Sequence, residues 1–301
     1  MSVGKFVRRH PLLRSALGVP RALRRNWMEW RQMPAKSVLD RVGTVIKEPV
    51  VFKVEEFGGT FSINPRSHLL HRILNDGFYE PRISSLFFAS IDPQRDILDI
   101  GANIGFFTVG GAKRLTTGRL LAAEPTREAF GQLSSNVARN GVADRVILFK
   151  GLIGSTSGQA EIRSVPGLEE YSSTREIQHF ATREMETITE NVPIDTIDNL
   201  VERNNLRPAL MKVDVEGAEY HVFEGAKQTL AKHRPTVISE LWHKSENAGG
   251  HTGQELVDMF RKLDYVVVDP HDPLSQPSLH EIGEMFCVPK ERFSPRLLDE
   301  R

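Results

Sequence analysis

Residues 96–107, DILDIGANIGFF, constrain the fold of this 301-residue chain more than any other stretch. A short apolar run ends in an acid, Asp99. Two glycines, Gly101 and Gly105, follow four residues apart, and two aromatics come next. A run of this length bounded by a glycine turn and followed by a helical pattern reads as strand, turn and helix. Gly101 allows a sharp turn, and Gly105 lets the helix expected over 104–115 approach the strand.

From Asp96 onward this unit repeats as a rhythm. Strands are expected at 96–100, 118–124, 145–150, 159–163, 209–215, 236–241, 264–269 and 284–288. Helices are expected at 104–115, 126–140, 196–204, 216–231 and 252–263. Alternation at this spacing predicts an α/β fold with a mostly parallel central sheet covered by helices on both faces. The last two strands have no helix of adequate length between them and form an antiparallel C-terminal pair. Before the core, PVVFKVEEFGGTFSI (49–63) reads as a β-hairpin around Gly58-Gly59, and 67–90 is helical in pattern. The polar segment 165–190 breaks the rhythm and reads as a long loop of the kind that is functional or disordered. The domain plan is therefore a basic N-terminal arm (1–48), a hairpin with helices (49–91), a Rossmann-like core (92–292) and a C-terminal tail (293–301).

The formal net charge is zero, so no global polyanion-binding signature is present and no nucleic acid is expected as a partner. The charge is unevenly placed. Residues 1–36 carry nine Lys/Arg against one acid, Glu29, a net of +8 balanced by −8 over the rest. Leu12, Leu13, Leu17, Leu23, Trp27 and Trp30 punctuate the basic arm. Such a segment either docks its apolar side on the body or makes peripheral contact with an anionic membrane. Docking is preferred, because Pro11 and Pro20 break a long lipid-facing stripe. The single cysteine, Cys287, excludes an internal disulfide and a cysteine metal cluster. No apolar run approaches the roughly 18–20 residues of a membrane span, and the arm lacks a signal-peptide core. A cytoplasmic location is expected.

The glycine turn opens a helix N-terminus, which suits an anionic group. Glu124 closes the second strand, 19 residues after Gly105, where an acid can accept hydrogen bonds from ribose hydroxyls. Together they indicate a nucleoside-containing cofactor. The spacing is not G-x-G-x-x-G, and Asp99 would repel a pyrophosphate. It favours a cationic ligand instead, a sulfonium or an α-ammonium group, which points to S-adenosyl-L-methionine.

FYEP (78–81), LDIGANIGFFT, AAEPTREAF, TIDNL (196–200) and LMKVDVEGAEYHVFEGA (210–226) resemble, in order and approximate spacing, the FkbM-family methyltransferases. The resemblance covers about residues 75–245. It implies a class I Rossmann-like fold and an S-adenosylmethionine-dependent O-methyltransferase, with a hydroxyl on a sugar, glycolipid or glycosylated natural product as acceptor. The cofactor set expected on this basis is Tyr79, Glu80, Asp99, Gly101, Ala102, Asn103, Gly105, Phe106, Glu124, Pro125, Ile153 and Asp214. The first 50 residues and the segment 165–190 fall outside the resemblance and are where acceptor identity is expected to reside.

Lys212-Val213-Asp214-Val215-Glu216-Gly217-Ala218-Glu219 ends a buried strand and opens a helix. Strand alternation places Lys212, Asp214 and Glu216 on one side. Glu219 reads as a helix N-terminal acid and Lys212 as the partner of an acid. An alcohol is a poor nucleophile, so a carboxylate or imidazole that takes its proton contributes about 10²–10⁴-fold. The candidates are Asp214, Glu216 and His243, the last brought to the same sheet edge with Glu240 by TVISELWHK. These four side chains also suit an oxygen-preferring cation, but their spacing does not demand one and no metal is expected. Two rival readings remain open, a nicotinamide-dependent oxidoreductase and a non-catalytic membrane-associated binding protein.

Overall fold

The computed structural model describes residues 48–65, 67, 69–70, 72–73, 79–165, 168–173, 187–241, 250–272, 275–277 and 283–293. The basic arm, the tail beyond Phe293 and His243 lie outside the described residues. The chain opens with a hairpin, β1 (Val50–Val54) and β2 (Gly59–Ile63), and helix α1 (Pro81–Ala89). Then come β3 (Asp96–Ile100), α2 (Phe106–Ala112), β4 (Leu120–Ala123), α3 (Arg127–Arg139) and β5 (Val146–Phe149). A side excursion follows: β6 (Leu152–Ile153), β7 (Gly158–Val165), β8 (Leu168–Ser173) and β9 (Ile188–Asp195). The chain then returns through α4 (Ile197–Arg203), β10 (Pro208–Val213), α5 (Glu219–Glu224) and α6 (Lys227–His233). It ends with β11 (Thr236–Leu241), α7 (Gly253–Lys262), β12 (Tyr265–Val268) and β13 (Gly283–Pro289).

Seven strands form the central sheet in the order β12-β13-β11-β10-β3-β4-β5. Neighbours from β11 to β5 are parallel, and β13 runs antiparallel between β11 and β12. This is the expected doubly wound sheet with its antiparallel C-terminal pair. Every residue of β3, β4 and β10 is buried, as a sheet covered on both faces requires. Alternation then sorts their side chains. Ile97, Ala122 and Leu210 enter the core beneath the hairpin, α1 and α2. Leu98, Leu121, Met211 and Val213 enter the core beneath α4, α5, α6 and α7. The strand order reverses between β3 and β10, so their C-terminal ends are the topological switch point, the place where doubly wound sheets bind ligands.

The hairpin is fastened to the core by Asn136 on α3 and, four residues on, Asn140 at its C-cap. Asn136 Oδ1 accepts from the Ser62 N–H at 2.7 Å, while its Nδ2 donates to the Ser62 and Ile104 carbonyls at 3.2 and 2.9 Å. Asn140 repeats the pattern on Thr60, accepting at 2.9 Å and donating at 2.7 Å. The amides imitate a neighbouring strand and satisfy the edge of β2. Below them Phe57 stacks on Phe106, with ring centroids 5.1 Å apart.

Two expectations are corrected. The segment 165–190 is not one long loop. Its described parts enter strands of a second sheet, ordered β6-β9-β7-β8. Most of β9 is exposed or half-buried, so its sequence lacks the apolar signal that marks a core strand. Glu190 of β9 ties this sheet to the core, pairing with Lys150 at 3.7 Å and accepting from the Arg127 N–H at 3.0 Å. The single helix expected at 216–231 is two, α5 and α6, interrupted at Gly225. A Cβ there would lie 2.1 Å from the Gly154 carbonyl oxygen, because the loop after β6 presses on this point.

Candidate active site

The glycine turn is built from backbone bonds. The Gly101 and Ala102 N–H groups both donate to the Ala123 carbonyl at 2.9 and 3.0 Å, and the Asp214 N–H donates to the Ile100 carbonyl at 2.9 Å. The ends of β3, β4 and β10 are thereby held side by side. Gly101 has φ +77°, and a Cβ on it would lie 1.8 Å from the Asp214 carbonyl oxygen. Only glycine lets the two loops meet this closely. Gly105 has φ +93° and packs toward a Leu133 methyl of α3.

Glu124 is 5% exposed at the end of β4. Its Oε1 accepts from the Thr126 N–H and hydroxyl at 3.0 and 2.8 Å, and its Oε2 accepts from the Asn103 N–H at 3.1 Å. Burial raises its carboxyl to about 7, although these bonds to Thr126 and Asn103 oppose the rise. Asn103 adopts φ +50° within the turn, a conformation asparagine tolerates better than most residues. Asp99 is 1% exposed, with Oδ2 accepting from the Thr108 hydroxyl at 2.6 Å. Burial pushes its carboxyl up, while Lys212 and Thr108 oppose that. Two buried atoms at this turn, Asp99 Oδ1 and Asn103 Oδ1, have no hydrogen-bond partner. Such acceptors are open to a donor from outside the chain, a water or a ligand.

Lys212 stands directly across the sheet from Asp99 in the β10–β3 register. It is 5% exposed, and its Nζ donates to Asp214 Oδ2 at 2.9 Å while lying 4.8 Å from the centre of the Phe107 ring. Burial works against its charge, but Asp214, Glu80 and Asp99 outweigh burial and hold the ammonium above its usual range. Tyr79 and Glu80 approach from the segment before α1. The Tyr79 ring lies 5.5 Å from Phe106, and its N–H donates to Glu56 Oε2 at 3.2 Å. Glu56 also accepts from the Ser84 hydroxyl, so the hairpin turn steers this strap. Burial raises the Glu80 carboxyl, with Lys212 opposing.

Strand β10 ends at Val213, so simple alternation does not govern Glu216, which sits in a left-handed turn at φ +54°. Glu219 makes that turn. One oxygen of this 2% exposed carboxylate accepts from the Val215 and Gly217 N–H groups at 3.2 and 3.1 Å. Burial raises Glu219 to about 7 against the pull of these N–H groups. The turn gathers ligand oxygens of Asp214, Glu216 and Glu240 within 4.8 Å of one another.

Of the expected residues, Asp99, Gly101, Ala102, Asn103, Gly105, Phe106, Glu124 and Asp214 lie at or just after the C-terminal ends of β3, β4 and β10, and Tyr79 and Glu80 join them through Phe106 and Lys212. Half-buried Pro125 follows Glu124. Ile153 is buried in the core on the α4–α7 face. The sequence reading passed over Thr108, Thr126 and Glu56, which hold Asp99, Glu124 and the Tyr79 strap. Thr126 alone left a signal, since a threonine before an apolar helix is an N-cap residue.

Residues 99–267 match the methyltransferase FkbM domain. Among proteins, the chain is 26% identical over 216 residues to the AMB antimetabolite synthetase AmbE of Pseudomonas aeruginosa, covering 61% of this chain and 10% of that protein. It is 25% identical over 177 residues to the methyltransferase sdnD of Sordaria araneosa, covering 50% of this chain and 67% of that one. The chain thus spans about a tenth of the synthetase and two thirds of sdnD. Among solved structures, the methyltransferase FkbM from Methylobacillus flagellatus superposes with a TM-score of 0.45 at 18% identity, over 72% of this chain and 52% of that chain.

Proposed function

The chain belongs to the FkbM family of S-adenosylmethionine-dependent methyltransferases, and from that premise we propose that it methylates a hydroxyl oxygen of a sugar, glycolipid or glycosylated natural product. One observation carries the reading. The Asp214 carbonyl abuts Gly101, so the acids after β10 and the cofactor turn after β3 are two walls of one crevice. The turn fits the cofactor on its own chemistry. Asp99 Oδ1 and Asn103 Oδ1 are acceptors in need of donors, and the surrounding acids, Glu80, Asp99 and Asp214 against Lys212, suit a cation.

S-adenosylmethionine supplies an electrophilic methyl group on a sulfonium. The chain has to hold the acceptor hydroxyl in line with that carbon. As the new O–C bond forms and the C–S bond breaks, the hydroxyl proton passes to a carboxylate, Asp214 or Glu216. The products are a methyl ether and S-adenosylhomocysteine. His243 is retained as the alternative proton acceptor on the sequence reading alone. In this reading the segment 165–190 and the N-terminal hairpin shape the acceptor pocket. Among the described residues no helix is long and apolar enough to cross a membrane. For a cytoplasmic enzyme the +8 arm is read as docking on the body, and peripheral contact with an anionic inner leaflet is the alternative, which co-sedimentation with anionic liposomes would favour.

Cell extract incubated with radiolabelled S-adenosylmethionine tests this directly. The expected outcome is a labelled, alkali-stable ether product. Asp214→Asn should slow its formation about 10²–10⁴-fold while calorimetry still detects S-adenosylhomocysteine. Wild-type turnover in Asp214→Asn and Glu216→Gln would remove the carboxylates from proton transfer. NAD(H) binding without S-adenosylhomocysteine binding would restore the oxidoreductase reading. Turnover is expected to survive EDTA; loss that magnesium restores would make Asp214, Glu216 and Glu240 a metal centre.

A further inference from the structure

We propose that Lys212 is the positioning residue of Asp214, fixing this carboxylate in the orientation that takes the acceptor proton; the role rests on the methyl-transfer reading above. A lysine at the end of a strand can extend its flexible stem to water. This one does not. Its side chain is 6% exposed, and its ammonium is held over Phe107 within 2.9 Å of Asp214 Oδ2. The charged groups facing it come from three elements: Asp99 across the register on β3, Asp214 after β10, and Glu80 before α1. Three carboxyl groups around one ammonium keep it protonated, so Lys212 is an anchor and not itself the proton acceptor.

The backbone of the same residue is fixed independently. The Asp214 N–H is bonded to Ile100 and its carbonyl is seated against Gly101. Backbone and side chain are thus pinned from two sides. With Oδ2 engaged by Lys212, the other carboxylate oxygen is left to meet the acceptor. A charge-assisted bond from a buried ammonium is strong and directional, which is what alignment of a proton acceptor requires.

The test uses the full chain with Lys212→Met, Lys212→Arg, Asp214→Asn and the double variant Lys212→Met/Asp214→Asn. Labelled-product formation from extract gives turnover and KM for S-adenosylmethionine, and calorimetry gives S-adenosylhomocysteine affinity. Lys212→Met is expected to lower turnover about 10²-fold while the dissociation constant changes less than about threefold. Lys212→Arg, which keeps the charge, should recover at least about tenfold of that loss. The double variant should be no slower than Asp214→Asn alone, because the two residues act as one unit. Should Lys212→Met fail to fold, the double variant removes both charges and leaves neither unpaired; its turnover against Asp214→Asn then decides.

Lys212→Met turnover near wild type, with Asp214→Asn impaired, would overturn the role of Lys212 alone. So would a loss that adds to that of Asp214→Asn and carries cofactor affinity down with it, the signature of a merely structural lysine. Asp214→Asn at wild-type turnover would overturn the reading of Asp214 itself, and the role of Lys212 with it.

Discussion

At the scale of the residue, Gly101 and Gly105 look alike in sequence and differ in consequence. A methyl on Gly101 would enter the Asp214 carbonyl at 1.8 Å, whereas one on Gly105 would meet the movable end of Leu133 at 2.6 Å. Both positions carry positive φ, so either alanine is strained. Gly101→Ala should destabilise by about 3 kcal/mol or more and abolish S-adenosylhomocysteine binding. Gly105→Ala should cost about 1–2 kcal/mol. Urea denaturation of both variants checks the order, and equal losses would contradict the geometry. The glycines, Asp99 and Glu124 were legible as a candidate site because a turn at a strand end has a characteristic residue pattern. Their supports were not. Thr108 reaches Asp99 from the next helix, and Lys212, read from sequence as the partner of an unspecified acid, pairs with Asp214 two residues on while standing across the sheet from Asp99. Alternation tells which face a side chain takes, not which neighbour it will meet.

At the scale of the element, the hairpin depends on α3. Asn136 is fully buried and satisfies backbone groups of both Ser62 and Ile104. Asn136→Ala leaves those groups buried without partners, a loss of roughly 2–3 kcal/mol. Asn140→Ala, at a wetter position, should lose about 1 kcal/mol. Hydrogen exchange should show the Ser62 amide losing protection in Asn136→Ala while β3 and β4 keep theirs. Equal protection in the variant would mean that the aromatic cluster alone holds the hairpin. Since Glu56 in the hairpin turn bonds Tyr79 and Ser84, a loosened hairpin should also weaken S-adenosylhomocysteine binding. The hairpin itself was legible from its two β-rich runs and paired glycines. The second sheet was not, because β9 is mostly polar and exposed, and its strand character comes from pairing with β6 and β7.

At the scale of the whole molecule, two buried acids set a pH dependence. Burial raises Glu124 and Glu219 from 4.5 to about 7. Between those values the folded chain binds more protons than the unfolded one. Stability from these groups is therefore complete below about pH 4.5 and is lost as pH rises toward 7. The melting temperature should fall on the order of 5 °C from pH 5 to pH 8. Glu124→Gln and Glu219→Gln should each flatten that slope in a calorimetric scan. A wild-type profile that rises over this range would show that the hydrogen bonds from Thr126, Asn103, Val215 and Gly217 overcome burial. A bound cation that favours the ionised acids lowers their folded-state values and should shrink the fall.

The sequence by itself determined the doubly wound sheet and the antiparallel pair at its end, because apolar periodicity and glycine turns are local properties of the chain, and its motifs carried the resemblance to the family. It also marked where the cofactor turn and the acidic turn begin. Tertiary structure alone decided that these turns share a wall, at Gly101 and Asp214. It also decided that Lys212 is retained inside among Asp99, Glu80 and Asp214, and that Glu219 bends Glu216 toward Glu240. The physical reason is distance along the chain. Asp99 and Lys212 are 113 residues apart in sequence yet face each other across one sheet register, and electrostatics acts through space.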